Sequence, residues 1–404
     1  MSRSDFHSKC HYILATLVAF SIPLAKFTPF FIGLLLFNWL VEGDLQEKFK
    51  QAFKNKFAVL FGSFFFIHIV GLLYTSNLDS GLFDIEVKLS LIIFPLVLSS
   101  KPLSNKQVKY VFKAFIIGLI YASFYMLSRA LSFYYVYGEN TFYYGKLAGY
   151  IHTSYISMYL NFAIVWLLFR LFIKENDEKL INKITIVGVI TLFSIMIILF
   201  ASKSGIATLL LIGLGLNLYF IYYRRKYLVA FVGLVLLAGG IFSVVHLVPQ
   251  VMNRVNNFVQ EIDSENNNEM GGSTENRIQI WKSSNLIISK NLLLGVGTGD
   301  VKEALQGQYK KNGFQNALKR NLNAHNEYYQ VFISLGIVGF ILLLMSMIYP
   351  LAISFKHNNY TYLFFLLIVM LNFLTESILE TQAGVVFYAF FNSLLCFKKK
   401  EFSN

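Results

Sequence analysis

His325 and Asn326 stand just ahead of an apolar run from Val331 to Tyr349 that only Ser334, Gly336, Gly339 and Ser346 interrupt. An imidazole at the mouth of a membrane helix, where a lipid-borne substrate meets water, can accept a proton near neutral pH. Asn326 beside it can orient the ring or a substrate hydroxyl. The plainer alternative for His325 is an interfacial cap. Upstream, Arg277 lies one helical turn from Trp281, and the pair reads as substrate-contacting. A guanidinium near a membrane surface suits bidentate binding of phosphate oxygens, although a lone arginine more commonly faces solvent or lipid headgroups. Arg254, nearer the start of the same polar stretch, has the same two readings.

Three further groups belong with these. Lys203, in Phe200-Ala-Ser-Lys203-Ser-Gly205, sits in a turn between two apolar runs on the side where the charge pattern disfavours cations. It is either functional or a snorkelling interfacial lysine. Glu376 and Glu380 lie one helical turn apart near the last two apolar runs, suited to pairing with these cations or to binding a sugar hydroxyl. No histidine accompanies them at ligand spacing, so no metal is expected. His152 opens another run, with Tyr159 on the same face, and either contacts a polar substrate or is buried and hydrogen-bonded. Gly295-Val-Gly-Thr-Gly lacks a preceding strand and a following Lys-Ser/Thr, so it reads as a flexible turn rather than a phosphate loop.

The elements that must hold these groups are membrane helices. The 404-residue chain is 56% hydrophobic and only 14% charged, against roughly 25% charged in soluble domains. The expected fold is all-α and polytopic, with about twelve spans and one large periplasmic loop. The spans fall near 11–25, 27–42, 56–74, 84–100, 108–132, 150–173, 182–200, 203–223, 227–247, 326–353, 359–375 and 379–397. The first two are short and suggest a tight hairpin around Lys26 to Pro29. The chain then divides into helices at 1–248, the loop at 249–325, and helices plus a tail at 326–404. The loop begins with a polar, mobile stretch from Glu261 to Glu275 and turns amphipathic through Ile278, Ile280, Trp281, Leu286 and Ile287.

Charge gives orientation. Lys48, Lys50, Lys54, Lys56, Lys101, Lys106, Lys174, Lys179, Lys183, Arg224, Arg225, Lys226 and Lys398 to Lys400 fall on one side; the opposite short segments are nearly free of cations. Both termini are thus expected in the cytoplasm and the loop outside. That sorting, and not nucleic-acid binding, accounts for the net charge of +13. Cys10 and Cys396 lie at opposite chain ends, so no disulfide is expected. The first apolar run lacks a small-residue cleavage site and reads as a retained helix.

Arg277 with Trp281, Gly295-Val-Gly-Thr-Gly, and His325-Asn326 followed by Gly336 and Gly339 resemble, in order and spacing, the superfamily of O-antigen ligases and O-antigen polymerases. The resemblance is strongest from Ser202 to Gly339. It implies transfer of a glycan from an undecaprenyl pyrophosphate carrier to an acceptor hydroxyl at the outer leaflet of the inner membrane, without cofactor. His325 would engage the acceptor as base, and Arg277 the pyrophosphate. The family commonly has arginine where this chain has Lys203, an acidic residue near Ser334, and leucine at Tyr329. A lipid A–core acceptor would make the protein a ligase; a second lipid-linked repeat, a polymerase; a protein hydroxyl, an O-oligosaccharyltransferase. A lipid-linked oligosaccharide flippase is the alternative of another class, but it predicts repeat symmetry and mid-membrane charges.

Overall fold

Every described element is helical. The computed structural model describes residues 2–172, 180–228, a few positions from 231 to 239, and 273–399. Arg254, the segment 241–272 and most of the expected span 227–247 lie outside the described residues. Helix α1 (Arg3–Ser21) opens with a Ser2–Asp5 capping box and stops at a 3-10 turn, Ile22–Leu24, containing Pro23. α2 (Thr28–Val41) returns beside it, so the expected hairpin at Lys26 to Pro29 is present. α3 (Leu45–Lys54) leaves α2 at 113° through Gly43 and Asp44, both at positive φ. It is an amphipathic helix where the sequence suggested a loop.

α4 (Lys56–Leu72), α5 (Leu78–Lys88) and α6 (Ser90–Ser100) follow. The expected single span 84–100 is thus two helices. Asp79, Asp84, Glu86 and Lys88 make α5 too polar to lie wholly in lipid, whereas α6 is apolar. α7 (Asn105–Tyr137), α8 (Tyr144–Ala148), α9 (Thr153–Phe172), α10 (Leu180–Phe200) and α11 (Lys203–Tyr222) come next. After the undescribed stretch stand α12 (Ser273–Lys290), α13 (Val301–Asn312) and α14 (Gln315–Lys319). The chain closes with α15 (Glu327–Lys356), α16 (Tyr360–Phe373), a 3-10 turn at Ile378–Glu380, and α17 (Gln382–Phe397).

Five described helices, α7, α9, α10, α11 and α15, are long and apolar enough to cross a membrane, or six if the bent pair α2–α3 counts as one. The expected twelve are therefore matched only in part. α4, α16 and α17 are apolar but shorter, at 17, 14 and 16 residues, below the roughly 20 residues of a full span. α17 is buried on nearly every side and acts as the bundle's axis. Around it Phe112, Phe115, Phe162, Phe365, Phe387 and Phe391 form one aromatic core, with Phe115–Phe391 and Phe162–Phe365 centroids 4.7 and 4.9 Å apart. Phenylalanine thus packs much of the interior.

Cations sort by end. Glu42 pairs with Lys48 at 3.0 Å and also with Lys101, Arg3 donates to the Val41 carbonyl at 2.9 Å, and the Lys399 amide donates to Leu103 at 3.0 Å. Arg3 and Lys399 accordingly lie at the end of the bundle that holds Lys48 and Lys101. Cys10 and Cys396 are free thiols.

The glycine-rich segment overturns the expectation of a flexible turn. Val296 N–H donates to Ile333 O at 2.8 Å, Gly297 N–H to Ser334 O at 2.9 Å, and Ile337 N–H to Leu292 O at 2.9 Å. Thr298 Oγ1 donates to His68 O at 2.7 Å, and Gly299 N–H to Thr75 Oγ1 at 3.0 Å. Asp300 then accepts the Ser76 and Asn77 amides at 2.7 and 2.8 Å. Its amides are committed to protein, which leaves no anion cradle. The α15 backbone opens to admit this segment at Gly336, whose φ of 61° and ψ of −158° are non-helical; a Cβ there would overlap the Leu293 carbonyl. Only glycine adopts that conformation readily, so Gly336→Ala is expected to cost at least about 1–3 kcal/mol. Thermal unfolding of the purified variant should show a lowered midpoint; an unchanged midpoint would mean that the splice does not bear load.

Candidate functional site

The site forms where α12, the start of α15 and the segment after α16 meet. Asn326 caps α15, its Oδ1 accepting the Tyr329 amide at 3.2 Å. Directly before the cap, His325 takes φ 45°, and its N–H donates to Asn323 Oδ1 at 3.1 Å. Trp281 on α12 donates to the Ala324 carbonyl at 3.2 Å and stacks on Tyr329 with centroids 6.0 Å apart. Trp281 and Asn326, expected as substrate contacts, therefore hold the backbone on either side of His325. A left-handed histidine between two such anchors has its ring direction set by the scaffold.

The ring points at Glu376. His325 Nδ1 lies 3.1 Å from Glu376 Oε2, and Arg277 Nη2 donates to Glu376 Oε1 at 3.0 Å. One carboxylate thus joins the two residues expected to do the chemistry, although they are far apart in sequence. An ionised carboxylate only accepts, so Nδ1 must carry the hydrogen. In the neutral ring that leaves Nε2 as the proton acceptor. The logic is that of a carboxylate-oriented catalytic histidine. Glu376 is 11% exposed, Arg277 22% and His325 27%, so the carboxylate is covered while its partners reach outward.

Burial raises the Glu376 carboxyl, but the His325 hydrogen bond and the charges of His325, Arg277 and His152 outweigh it and hold the group below the ordinary glutamate range. A depressed folded value stabilises the fold above the unfolded value, and that contribution is lost as pH falls through the folded one. Glu376→Gln should therefore melt below the parent at pH 7, and the gap should close only as pH falls through the depressed folded value, below the ordinary glutamate range. A constant gap from pH 7 down through that value, read by thermal unfolding in detergent, would contradict the ionised pairing.

The remaining expected residues divide. His152 is exposed at the start of α9 and close enough to Glu376 to act on its charge. Its neighbour Ser154 reaches Glu376 Oε1 at 3.4 Å. Tyr159 is fully buried and its hydroxyl donates to Ala383 O at 2.8 Å. Lys203 is the exposed first residue of α11, capped by Ser202. Gly205, on its next residues, packs against Ser157 of α9, which sets Lys203 at the same end of the bundle as His152. Glu380 does not join Glu376: its Oε1 accepts from Lys88 and its Oε2 from Gln330, at 3.0 and 2.8 Å.

Sequence reasoning missed Glu327, Gln330 and Lys88. Asn326 Nδ2 donates to Leu374 O at 3.1 Å, Glu327 Oε2 accepts the Leu379 amide at 2.7 Å, and Gln330 holds Glu380. The first turn of α15 thus grips the Glu376-bearing segment at three points. The available sign was a cluster of polar residues, Asn326, Glu327 and Gln330, on one turn at the head of an apolar helix.

Compared with known families, residues 186–344 match the model described as O-antigen ligase. That segment contains Lys203, Arg254, Arg277, Trp281, His325 and Asn326, and ends before Glu376. The motif resemblance to the O-antigen ligase and polymerase superfamily is thereby supported. No curated protein matches the chain.

Proposed function

We propose that this chain, which carries the O-antigen ligase signature over residues 186–344, is a membrane glycosyltransferase that moves a glycan from a polyprenyl pyrophosphate to an acceptor hydroxyl. The observation that carries the reading is the single carboxylate, Glu376, bound to both His325 and Arg277 at 3.1 and 3.0 Å. A glycosyl pyrophosphate already has its leaving group. What remains is to position the acceptor, remove its proton and stabilise the departing charge.

In this reading His325 Nε2 takes the acceptor proton as the acceptor oxygen bonds to the anomeric carbon. The carbon–oxygen bond to pyrophosphate breaks, and its electron pair leaves with the carrier. Arg277 keeps guanidinium donors beyond the one on Glu376, and these receive the pyrophosphate. Lys203 supplies a second cation to the donor, as a point charge without arginine's fork; Arg254 is a third. His152, near Glu376, is assigned to the acceptor. Displacement in one step inverts the anomeric centre.

Among acceptors, lipid A–core is favoured because a single large segment precedes the last helices, which makes the protein a ligase in the inner membrane with its site facing the periplasm and its termini in the cytoplasm. The test is reconstitution with a polyprenyl-pyrophosphate glycan and two rival acceptors, lipid A–core and a second lipid-linked glycan. Preferential glycosylation of lipid A–core with inverted configuration is expected. Transfer only to the lipid-linked glycan would make the protein a polymerase, and retention would rule out single displacement.

A further inference from the structure

Lys88 takes no part in the proposed displacement, yet it is among the most deeply placed charges described. Its side chain is 1% exposed. It pairs with Asp84 one turn back on α5 and donates to Glu380 Oε1 at 3.0 Å across to the 3-10 turn. Glu380 also accepts from Gln330 of α15 at 2.8 Å, and Glu327, fully buried two residues after His325, accepts the Leu379 amide at 2.7 Å. Two carboxylates, Asp84 and Glu380, therefore share one buried ammonium. A buried carboxylate is tolerated only when paired, so the ammonium is what lets Glu380 stay charged and hold its place.

Glu380 and Glu376 belong to the same short segment, tied by the Glu380 amide to the Ser377 carbonyl and by the Glu376 amide to Asn372. Gly384 at the start of α17 packs so closely on the Ile378 carbonyl that a Cβ would overlap it. The segment thus has little room to shift except by losing its side-chain anchors. Asn326, Glu327 and Gln330 grip it from α15; Lys88 grips it from α5, the helix that also abuts the glycine splice through Asn77 and Asp300.

We propose that Lys88 is a positioning residue: through Glu380 it fixes the 374–381 segment so that Glu376 meets His325 and Arg277 in register. The functional part of this rests on the glycosyl-transfer reading above; the mechanical part does not. An error of about 1 Å at a catalytic group can cost about a hundredfold in rate, so a remote anchor of this kind carries kinetic weight.

The experiment compares the full-length protein with Lys88→Met and Lys88→Arg in vesicles, by amide hydrogen exchange and by transfer kinetics. In Lys88→Met, exchange across 374–381 should speed at least about tenfold while α4 keeps its protection. kcat should fall about tenfold to a hundredfold with KM for the donor nearly unchanged. Lys88→Arg should restore much of both. A lysine that merely stabilises the fold would lower the amount of folded protein and leave kcat per folded molecule intact. Unchanged exchange at 374–381 overturns the inference whatever the activity. Faster exchange with undiminished transfer upholds the anchor and sinks the role given to Glu376 instead. Should Lys88→Met fail to fold, Lys88→Met with Asp84→Asn removes one uncompensated carboxylate, and Glu380→Gln removes the charge and turns one of the two oxygens that accept from Lys88 and Gln330 into a donor; either must loosen 374–381, or the proposal fails.

Discussion

His325→Ala is expected to lower glycan transfer by about 10²–10⁴-fold, the range for loss of a positioned general base, with donor KM little altered. The loss belongs in kcat because the proton moves only as the acceptor attacks. The variant should fold, since Glu376 keeps Arg277 at 3.0 Å and the α15 cap is made by Asn326, not by the histidine. Transfer rates in vesicles, normalised to folded protein, measure this. Activity within a few-fold of the parent would remove His325 from the chemistry and leave it as a structural partner of Glu376. His325→Gln should rank with alanine: it can still donate to Glu376 but cannot accept the proton.

Arg277→Ala is expected to lower kcat/KM for the polyprenyl-pyrophosphate donor by about 10²–10³-fold, the scale for losing one preorganised donor to developing negative charge. Two losses combine. The departing pyrophosphate loses its guanidinium, and Glu376 loses the partner that sets its Oε1. Arg277→Lys should recover only part, because an ammonium cannot serve the carboxylate and the pyrophosphate with a planar fork. Donor titrations at fixed acceptor read both variants. An Arg277→Ala protein with an undisturbed donor dependence would confine the arginine to a structural ion pair with Glu376.

Much of the fold was legible because it depends on local rules. Apolar runs near 153–172, 180–200 and 203–222 appear as helices within a few residues of the expected limits. The cation pattern anticipated that Lys48 and Lys101 share one end; Glu42 binds both. What failed was non-local. Nothing around Gly295 announces that Ile333 and Ser334, on a distant helix, will supply its hydrogen-bond acceptors, so a fixed splice read as a loose turn. α17 was readable as a span but not as the bundle's axis, because burial on all sides depends on neighbours.

The site divides along the same line. His325 and Arg277 were singled out from residue type and placement, and the structure brings both to one carboxylate. Glu376 was noted for the right kind of partner, but its choice of both cations is set by the fold of the 374–381 segment. Glu380, noted beside it, turns instead to Lys88. Lys88 has Asp84 one turn back on its own helix, and only the tertiary structure adds Glu380. Trp281 and Asn326 were recognised by position, while their bonds to Ala324 and Leu374 make them supports for His325.

The central claim is that one end of this bundle couples proton removal from an acceptor hydroxyl to departure of a polyprenyl pyrophosphate. The most direct test uses vesicles containing this chain alone, a polyprenyl-pyrophosphate glycan and a hydroxyl acceptor, without nucleotide. Both the glycosylated acceptor and the released polyprenyl pyrophosphate are counted. The account predicts that they appear together, one for one, at a rate that collapses in His325→Ala. Carrier crossing the bilayer with its glycan still attached, and no acceptor glycosylated, would contradict it.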